Sequence, residues 1–307
     1  MNWKGVMPAI TTEFKEDLAV DHAFMAAHCS WLLEGGCTGI VALGSLGEGA
    51  TLSFDEKLAV LGTCVKAVGG RAPVVASVSA LSTSEAVAIA KAAADIGCDG
   101  LMVLPPYVYQ GSWREMKTHV AAVFKASTLP CMLYNNPVAY GTDFIPEQIQ
   151  ELATEHENFE AVKESSTDAR RVSAIRALLD DRLELSVGVD DAVVEAIGVG
   201  ATGWVAGLAN ALPRESVDLF NLGISGDADK AFELYRWFLP LLRMDTVPNF
   251  VQLIKLVQAE VGHGHARVRP PRLELVGDEL KQTRKIIQEA LRTRPQTANA
   301  YALPNRK

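Results

Sequence analysis

Eight short apolar runs recur along the first two thirds of the chain, and stretches with helical periodicity separate them. Most of the runs contain several β-branched residues and few polar ones, which is typical of strands that are buried on both faces. They lie at 5–10, 39–44, 73–79, 100–106, 130–135, 159–164, 183–188 and 203–207. Parallel neighbours need a connection of a dozen or more residues, so these runs predict a parallel sheet with helices as its crossovers.

The stretches between the runs have apolar residues at i, i+3 and i+4, which predicts helices. In 82–96, for example, Ala86, Ile89 and Ala93 lie on one stripe, while Ser82 can cap the helix and Gly97 can end it. Such a stripe predicts packing of the helix on the sheet. The predicted helices lie at 21–34, 53–68, 82–96, 112–126, 146–156 and 168–179.

A succession of eight strand-helix units predicts an α/β fold, the closed (β/α)8 TIM barrel. The alternative is an open doubly wound sheet, but the first junction, PAITTEFKED, has no G-x-G-x-x-G fingerprint for a dinucleotide. From about residue 225 the pattern changes to helices without strands, at 227–242, 249–261 and 278–293. We therefore predict a barrel over 1–224, a C-terminal three-helix appendage over 225–295 and a flexible tail over 296–307.

Charge and cysteine usage exclude several classes of partner. Lysine and arginine total 29 against 37 acidic residues, and no basic run offers a stripe to nucleic acid. The opening MNWKGVMPAI lacks the features of a signal peptide, and no run of about 18 apolar residues predicts a membrane span. The five cysteines have no C-x-x-C pair and predict reduced core thiols in a cytoplasmic protein.

The sixth run, FEAVKES, carries a candidate nucleophile. Its alternation places Phe159, Ala161 and Lys163 on one side, with Lys163 at the carboxyl end, where barrels of this kind hold their active sites. If that side faces the barrel axis, burial disfavours the ammonium form and favours the neutral amine that a Schiff base requires. The alternative is a solvated lysine at a strand end.

Two other runs end in groups that can transfer protons. The fifth run, PCMLYNNP, ends in Tyr134, whose phenol can act as a general acid and base or can simply pack. The second run ends in GSLGE, where the Ser45 hydroxyl can pass a proton. Backbone amides from Ser45 to Gly47 can bind a carboxylate, although glycine-rich turns after strands are also common without any ligand.

Five motifs together resemble one known family in order and spacing, over about residues 3–295. They are GSLGE at 44–48, LPPY at 104–107, YNNP at 134–137, VKES at 162–165 and GVDD at 188–191. The chain is similar in these motifs to the dihydrodipicolinate synthase and N-acetylneuraminate lyase family, whose members form a lysine imine with pyruvate or another 2-oxo acid. The resemblance assigns that imine to Lys163.

The resemblance also implies roles for other residues. Tyr134 would shuttle protons, Ser45 would link it to a Tyr107 contributed by a neighbouring subunit, and the chain would form a homotetramer, a dimer of dimers. The substrate would be a small 2-oxo acid and the covalent imine would replace any cofactor or metal, since no histidine has a ligand-like partner in sequence. The predicted substrate-binding residues are Gly44, Leu46, Gly47, Ala139, Gly188, Asp190 and Val205.

Departures from the family pattern bear on the substrate. Leu46 replaces the usual second hydroxyl of the carboxylate loop, and Ala139 stands where synthases of dihydrodipicolinate carry an arginine for the second substrate. Asp190 resembles a residue that binds substrate hydroxyls in sugar-acid aldolases, but it can also cap a helix over 190–198.

The departure at Ala139 argues against the synthase. YNNP followed by a tyrosine is most similar to family members that dehydrate or deaminate, of the type that acts on 2-keto-3-deoxy-sugar acids or on 1-pyrroline-4-hydroxy-2-carboxylate. The alternatives are a pyruvate-dependent aldolase, dihydrodipicolinate synthase itself, or a non-catalytic protein that binds 2-oxo acids. A barrel enzyme for a phosphorylated substrate is a further alternative, but its phosphate loop after strands seven and eight is not evident.

Overall fold

Eight parallel strands form a barrel in the computed structural model, which describes residues 1–295. The strands are β1 (Gly5–Pro8), β2 (Ile40–Ala42), β3 (Val74–Val78), β4 (Gly100–Val103), β5 (Cys131–Asn135), β6 (Phe159–Glu164), β7 (Glu184–Val187) and β8 (Gly203–Ala206). Each pairs with its neighbours in chain order, β1 pairs with β8, and a bridge between Ala9 and Val41 joins β1 to β2. The predicted (β/α)8 TIM barrel is confirmed.

Helices connect the strands and continue after the barrel. They are α1 (His22–Glu34), α2 (Phe54–Val68), α3 (Thr83–Ile96), α4 (Trp113–Phe124), α5 (Pro137–Tyr140), α6 (Pro146–Glu155), α7 (Arg170–Leu179), α8 (Val193–Gly198), α9 (Pro213–Ser225), α10 (Ala228–Leu242), α11 (Phe250–Glu260) and α12 (Gly277–Arg292). Ser82 caps α3 by accepting from the amide of Glu85, and Gly97 ends it in the left-handed conformation. The helices predicted from periodicity therefore form, including the three of the appendage, α10 to α12. The predicted tail over 296–307 lies outside the described residues.

Two helices have no counterpart in the predicted set, α9 and the four-residue α5. The inner face of α9 buries Glu215 and Ser216 as well as Leu219, so its apolar stripe is interrupted. The guanidinium of Arg294 donates to Glu215 Oε1, while Oε2 is buried without a partner among the described residues. An ion pair between residues 79 positions apart therefore stands where an apolar contact would have continued the helical periodicity.

The strands supply a core that is buried on both faces, as their composition predicts. All five cysteines are buried and unpaired, which confirms the prediction of core thiols. Burial raises the pKa of the Cys98 and Cys131 thiols to about 12, so they stay protonated at neutral pH. Across residues 1–295, the structure has no helix with the length and apolarity that crossing a membrane would require.

A buried ion pair joins α11 to the loop after β2. Lys255 and Glu48 both have side chains that are 0% exposed, and the Lys255 Nζ lies 3.1 Å from Glu48 Oε1. Lys255 also donates to the carbonyl of Thr12 at 2.8 Å, and Glu48 Oε2 accepts from the amide of Arg269. Burial lowers the pKa of Lys255, and the Glu48 carboxylate opposes that effect. The pair thus holds the loop with two charges that compensate each other.

Candidate active site

Lys163 lies near the carboxyl end of β6 and is 6% exposed. Tyr134 is its partner in register on β5, and the Lys163 Nζ lies 4.0 Å from the centroid of the Tyr134 ring. Gly188 makes room for the lysine, because a Cβ at that position would lie 2.3 Å from Lys163 Cε. The two residues predicted to carry the chemistry are therefore neighbours, and Gly188 shapes the lysine's cavity.

In the sequence YNNP, Asn136 holds the Tyr134 side chain and Asn135 ties the end of β5 to β6. Asn136 donates from Nδ2 to the Tyr134 hydroxyl at 3.0 Å, and its Oδ1 accepts from the amide of Ala139 as the cap of α5. Asn135 is buried and donates to the Glu164 carboxylate at the end of β6. A donor on the phenol oxygen leaves the phenol's own proton free to point at a substrate.

The loop after β2 has the features of a carboxylate site. Among the residues that the structure describes, the amides of Ser45, Leu46 and Gly47 donate to no acceptor. Gly47 is needed where it is, because a Cβ there would lie 2.8 Å from the carbonyl oxygen of Ile10. Three consecutive free amides in a turn form a concavity that suits an anion. The predicted carboxylate loop therefore has its donors available, with Gly44 at its start.

Three other residues predicted to bind substrate differ in exposure. Leu46 is 3% exposed and Val205 is 2% exposed, so both side chains pack within the barrel's core. Ala139 is exposed in α5 and has neither charge nor a polar side chain. Any contact of Leu46 with substrate would therefore come through its free amide.

Ser45 has its hydrogen-bond partner in its own chain, the hydroxyl of Tyr140. The Tyr140 ring also lies 5.8 Å from the Tyr134 ring and 5.6 Å from the Tyr107 ring, measured between centroids. Tyr140 therefore connects the three predicted hydroxyl residues. Sequence reasoning noted a tyrosine after YNNP but assigned it no role. The available signal was its position at the end of a proline-initiated turn directly after the Tyr134 strand.

The environment of Tyr140 keeps its hydroxyl protonated. Burial raises the pKa of Tyr140 well above its usual value, and the neighbouring Tyr134 and Tyr107 raise it further. Ser45 opposes the shift by hydrogen bonding. Tyr140 is therefore a hydrogen-bond donor or a carrier of relayed protons rather than a resident base.

Asp190 is buried beneath the loop after β8. Its carboxylate accepts from the indole of Trp204 at 2.9 Å and from the amides of Gly207 and Leu208. Burial raises the pKa of Asp190 to about 6, while these donors and Lys163 oppose the shift. The alternative that Asp190 caps a helix over 190–198 is wrong. Val189 is the N-cap of the 3-10 turn Asp190–Ala192, and Ala192 is the N-cap of α8. Asp190 anchors the β8 loop, and its contact with substrate hydroxyls stays a prediction.

A second acid, Asp245, comes from the turn between α10 and α11. A Cβ at Gly207 would lie 2.2 Å from Asp245 Oδ1, so the carboxyl occupies the space that a side chain there would take. Gly207 has a φ of −83°, which any residue can adopt, so its glycine is required by this contact and not by its backbone. Sequence reasoning did not find Asp245.

Ser165 provides one further polar group beside the lysine. Its Oγ is buried without a hydrogen-bond partner, and it faces the same empty Cβ position of Gly188 as Lys163 does. A buried hydroxyl without a partner in the protein is available to a bound molecule. Residues 1–295 contain no group of three or more histidine, cysteine, aspartate or glutamate residues placed to hold a metal ion.

Comparison with known proteins agrees with this geometry. Residues 2–290 match the model of the dihydrodipicolinate synthetase family. The 4-hydroxy-tetrahydrodipicolinate synthase of Methanocaldococcus jannaschii is 30% identical over 287 residues, which cover 94% of this chain and 98% of that protein.

Solved structures give the same result. The dihydrodipicolinate synthase of Aquifex aeolicus is 26% identical with a TM-score of 0.89, covering 93% of this chain and 97% of that one. A prophage protein of the dihydrodipicolinic acid synthase family from E. coli K12, solved with pyruvate, is 25% identical with a TM-score of 0.89, covering 95% and 99%. The chain belongs to the dihydrodipicolinate synthetase family and is an enzyme of that family, whose members are Schiff-base lyases.

Proposed function

We propose that this enzyme forms a Schiff base between Lys163 and a short 2-oxo acid or cyclic imino acid, and then eliminates water or ammonia from it. The observation that carries the proposal is the buried Lys163 amine, 4.0 Å from the Tyr134 ring centroid. The free amides of the loop after β2 would hold the substrate carboxylate.

The proposed chemistry begins when the Lys163 amine adds to C2 and water leaves, which gives an imine. The protonated imine draws electrons from C3, so a C3 proton can be removed at neutral pH. Tyr134 gives its phenol proton to the water that leaves C2 and, as the phenolate, then accepts the C3 proton. The ring of Tyr140, whose hydroxyl bonds Ser45, packs against the Tyr134 ring. The imine itself is the electron sink, and the proposal includes no further cofactor.

Position 139 favours elimination over condensation with a second carboxylate substrate. The resemblance places an arginine here in synthases of dihydrodipicolinate, and this chain has the exposed, uncharged Ala139. The next residue, Tyr140, turns inward and bonds Ser45. The site thus gains a hydroxyl where the synthases would recognise a second anion.

The second candidate function is 4-hydroxy-tetrahydrodipicolinate synthase. Its support is the name of the matched relatives, including the Methanocaldococcus jannaschii protein at 30% identity. Both candidates begin with the same lysine imine and lose a proton from C3. They differ only in the later steps, which are elimination in one case and condensation with a second substrate in the other.

Borohydride reduction followed by peptide mass spectrometry tests the proposal. Pyruvate, a 2-keto-3-deoxy-sugar acid and 1-pyrroline-4-hydroxy-2-carboxylate are offered separately, with Lys163→Ala as the control. We expect an adduct on Lys163, and release of water or ammonia from one of the two longer substrates without carbon–carbon cleavage. Condensation of pyruvate with aspartate semialdehyde would establish the synthase instead. The absence of every adduct would refute the Schiff base.

We also propose a cytoplasmic homotetramer, in line with the resemblance. Large apolar side chains are exposed on the loops after β3 and β4, with Leu81 at 69% and Val108 at 93% exposure. Contiguous exposed apolar side chains mark contacts between proteins, and these two loops follow adjacent strands. Sedimentation of the wild-type chain and of Val108→Glu would test the assembly, because a charge in the contact should shift the protein towards smaller species.

A further inference from the structure

We infer that Asp245 is the general acid that protonates the leaving hydroxyl during elimination, so that the substrate carries a hydroxyl on C4. This inference rests on the proposed function and extends it to a residue from outside the barrel. Its starting point is the contact between Asp245 and Gly207, in which a glycine is kept free so that a carboxyl can approach the β8 loop.

The position of Asp245 suits such a role. The 3-10 turn Arg243–Asp245 follows α10, and it packs against the 3-10 turn Asp190–Ala192 after β7. Both turns lie at the carboxyl ends of the strands, where Lys163 also lies. Asp245 is a partly exposed residue, whereas Asp190 is 0% exposed. A substrate on Lys163 would therefore meet Asp245 and not the occluded Asp190.

The hydrogen bonds of the two aspartates also differ. Asp190 accepts from an indole and two amides, whereas no donor among the described residues bonds the Asp245 carboxyl. An ionised carboxylate normally collects donors, and a carboxyl without them is better stabilised in its neutral form. Burial raises the pKa of Asp245 well above its usual value, and the charges of Asp190 and Asp191 act in the same direction against that of Lys163. Asp245 is therefore protonated and can donate that proton to a leaving group.

The proposed step balances without an oxidant or reductant. After C3 loses its proton, the enamine nitrogen re-forms the C2=N bond and the C2=C3 electrons form a C3=C4 bond. The C4–O bond breaks, and its electrons go to the oxygen, which takes the Asp245 proton and leaves as water. The Asp245 carboxylate recovers a proton from solvent, and water hydrolyses the unsaturated imine to release the product and the Lys163 amine.

Asp245→Asn separates this step from the steps before it. Exchange of the C3 protons of pyruvate in D₂O, followed by NMR, needs the lysine imine and the proton shuttle but no leaving group. We expect the variant to keep this exchange within about threefold of wild type, while dehydration of a 2-keto-3-deoxy-sugar acid slows by about 10² to 10⁴, the usual contribution of a general acid. We expect the wild-type dehydration rate to fall at high pH, where Asp245 loses its proton, and the variant to lack that fall.

Asp227→Asn is the matched control, because it makes the same side-chain change at the other end of α10, where asparagine still caps the helix. It should leave both reactions unchanged. Dehydration at the wild-type rate in Asp245→Asn would overturn the inference, as would equal loss of exchange and dehydration, which would make Asp245 a residue that only positions the lysine site. Failure of wild type to exchange C3 protons would instead remove the Schiff base, and this inference with it.

Discussion

The barrel rim and the helical appendage place their polar residues in different ways. Lys163 and Tyr134 lie on adjacent strands, so the backbone ladder of β5 and β6 sets their separation. Lys255 and Asp245 come from the appendage, and side-chain contacts with the loops after β2 and β8 set their positions.

This difference separates residues that serve the chemistry from residues that stabilise the fold. A side chain at a strand end can be changed without disturbing the ladder beneath it, whereas Lys255 compensates a buried charge in another element. We therefore expect substitutions at the rim to reduce turnover with little loss of stability, and substitutions at the Lys255 pair to reduce stability first. Asp245 is the proposed exception, an appendage residue that serves the chemistry.

Among Tyr134→Phe, Lys255→Met and Tyr140→Phe, the first should reduce turnover most. The Tyr134 ring lies against the Lys163 amine and its phenol is the proposed proton shuttle, so we expect kcat to fall by about 10² to 10⁴. Urea unfolding should show a change below about 1 kcal/mol, because the ring and the strand remain. Wild-type turnover in this variant would show that another group transfers the C3 proton.

Lys255→Met should give the largest effect on stability. Methionine fills a similar volume but leaves the Glu48 carboxylate buried without its ammonium partner, which typically costs about 3 to 5 kcal/mol. Urea unfolding of this variant measures that cost. The double variant Lys255→Met with Glu48→Gln removes both charges and should recover part of the loss. If the single variant is as stable as wild type, the pair does not hold the loop.

Tyr140→Phe should have two smaller effects, one on turnover and one on stability. It removes the hydroxyl that bonds Ser45, and a lost buried hydrogen bond typically costs about 1 to 3 kcal/mol. We expect a decrease in kcat of about tenfold, partly reproduced by Ser45→Ala, with the two effects not additive because the residues form one pair. Fully additive losses would argue against a connected hydroxyl path.

Most of the fold could be predicted from the sequence because the periodicities of its strands and of its helices are both local. The alternation within β6 and the stripe of α3 depend on neighbours a few residues away, and both elements form where they are predicted. Helix α9 could not be predicted in this way, because the residue that completes its buried face is Arg294, which lies 79 positions from Glu215.

The residues of the site also divide into those that local sequence patterns predict and those that they do not. Lys163, Tyr134 and the loop of Ser45 can be predicted because strand ends of a barrel meet at one face. The bond from Ser45 to Tyr140 spans 95 residues, and Asp245 reaches Gly207 only through the packing of α10 on the barrel. Nothing in the local pattern around Asp245 distinguishes it from an ordinary turn aspartate.

The buried pair of Glu48 and Lys255 has a consequence for synthesis on the ribosome. The two residues are 207 positions apart, so all eight strands have already been synthesised when Lys255 is added. Until then the loop that contains Ser45 carries a carboxylate with no ammonium partner, and burying it alone would be costly. The nascent chain can therefore form its sheet early but completes its carboxylate site only after Lys255 has been added.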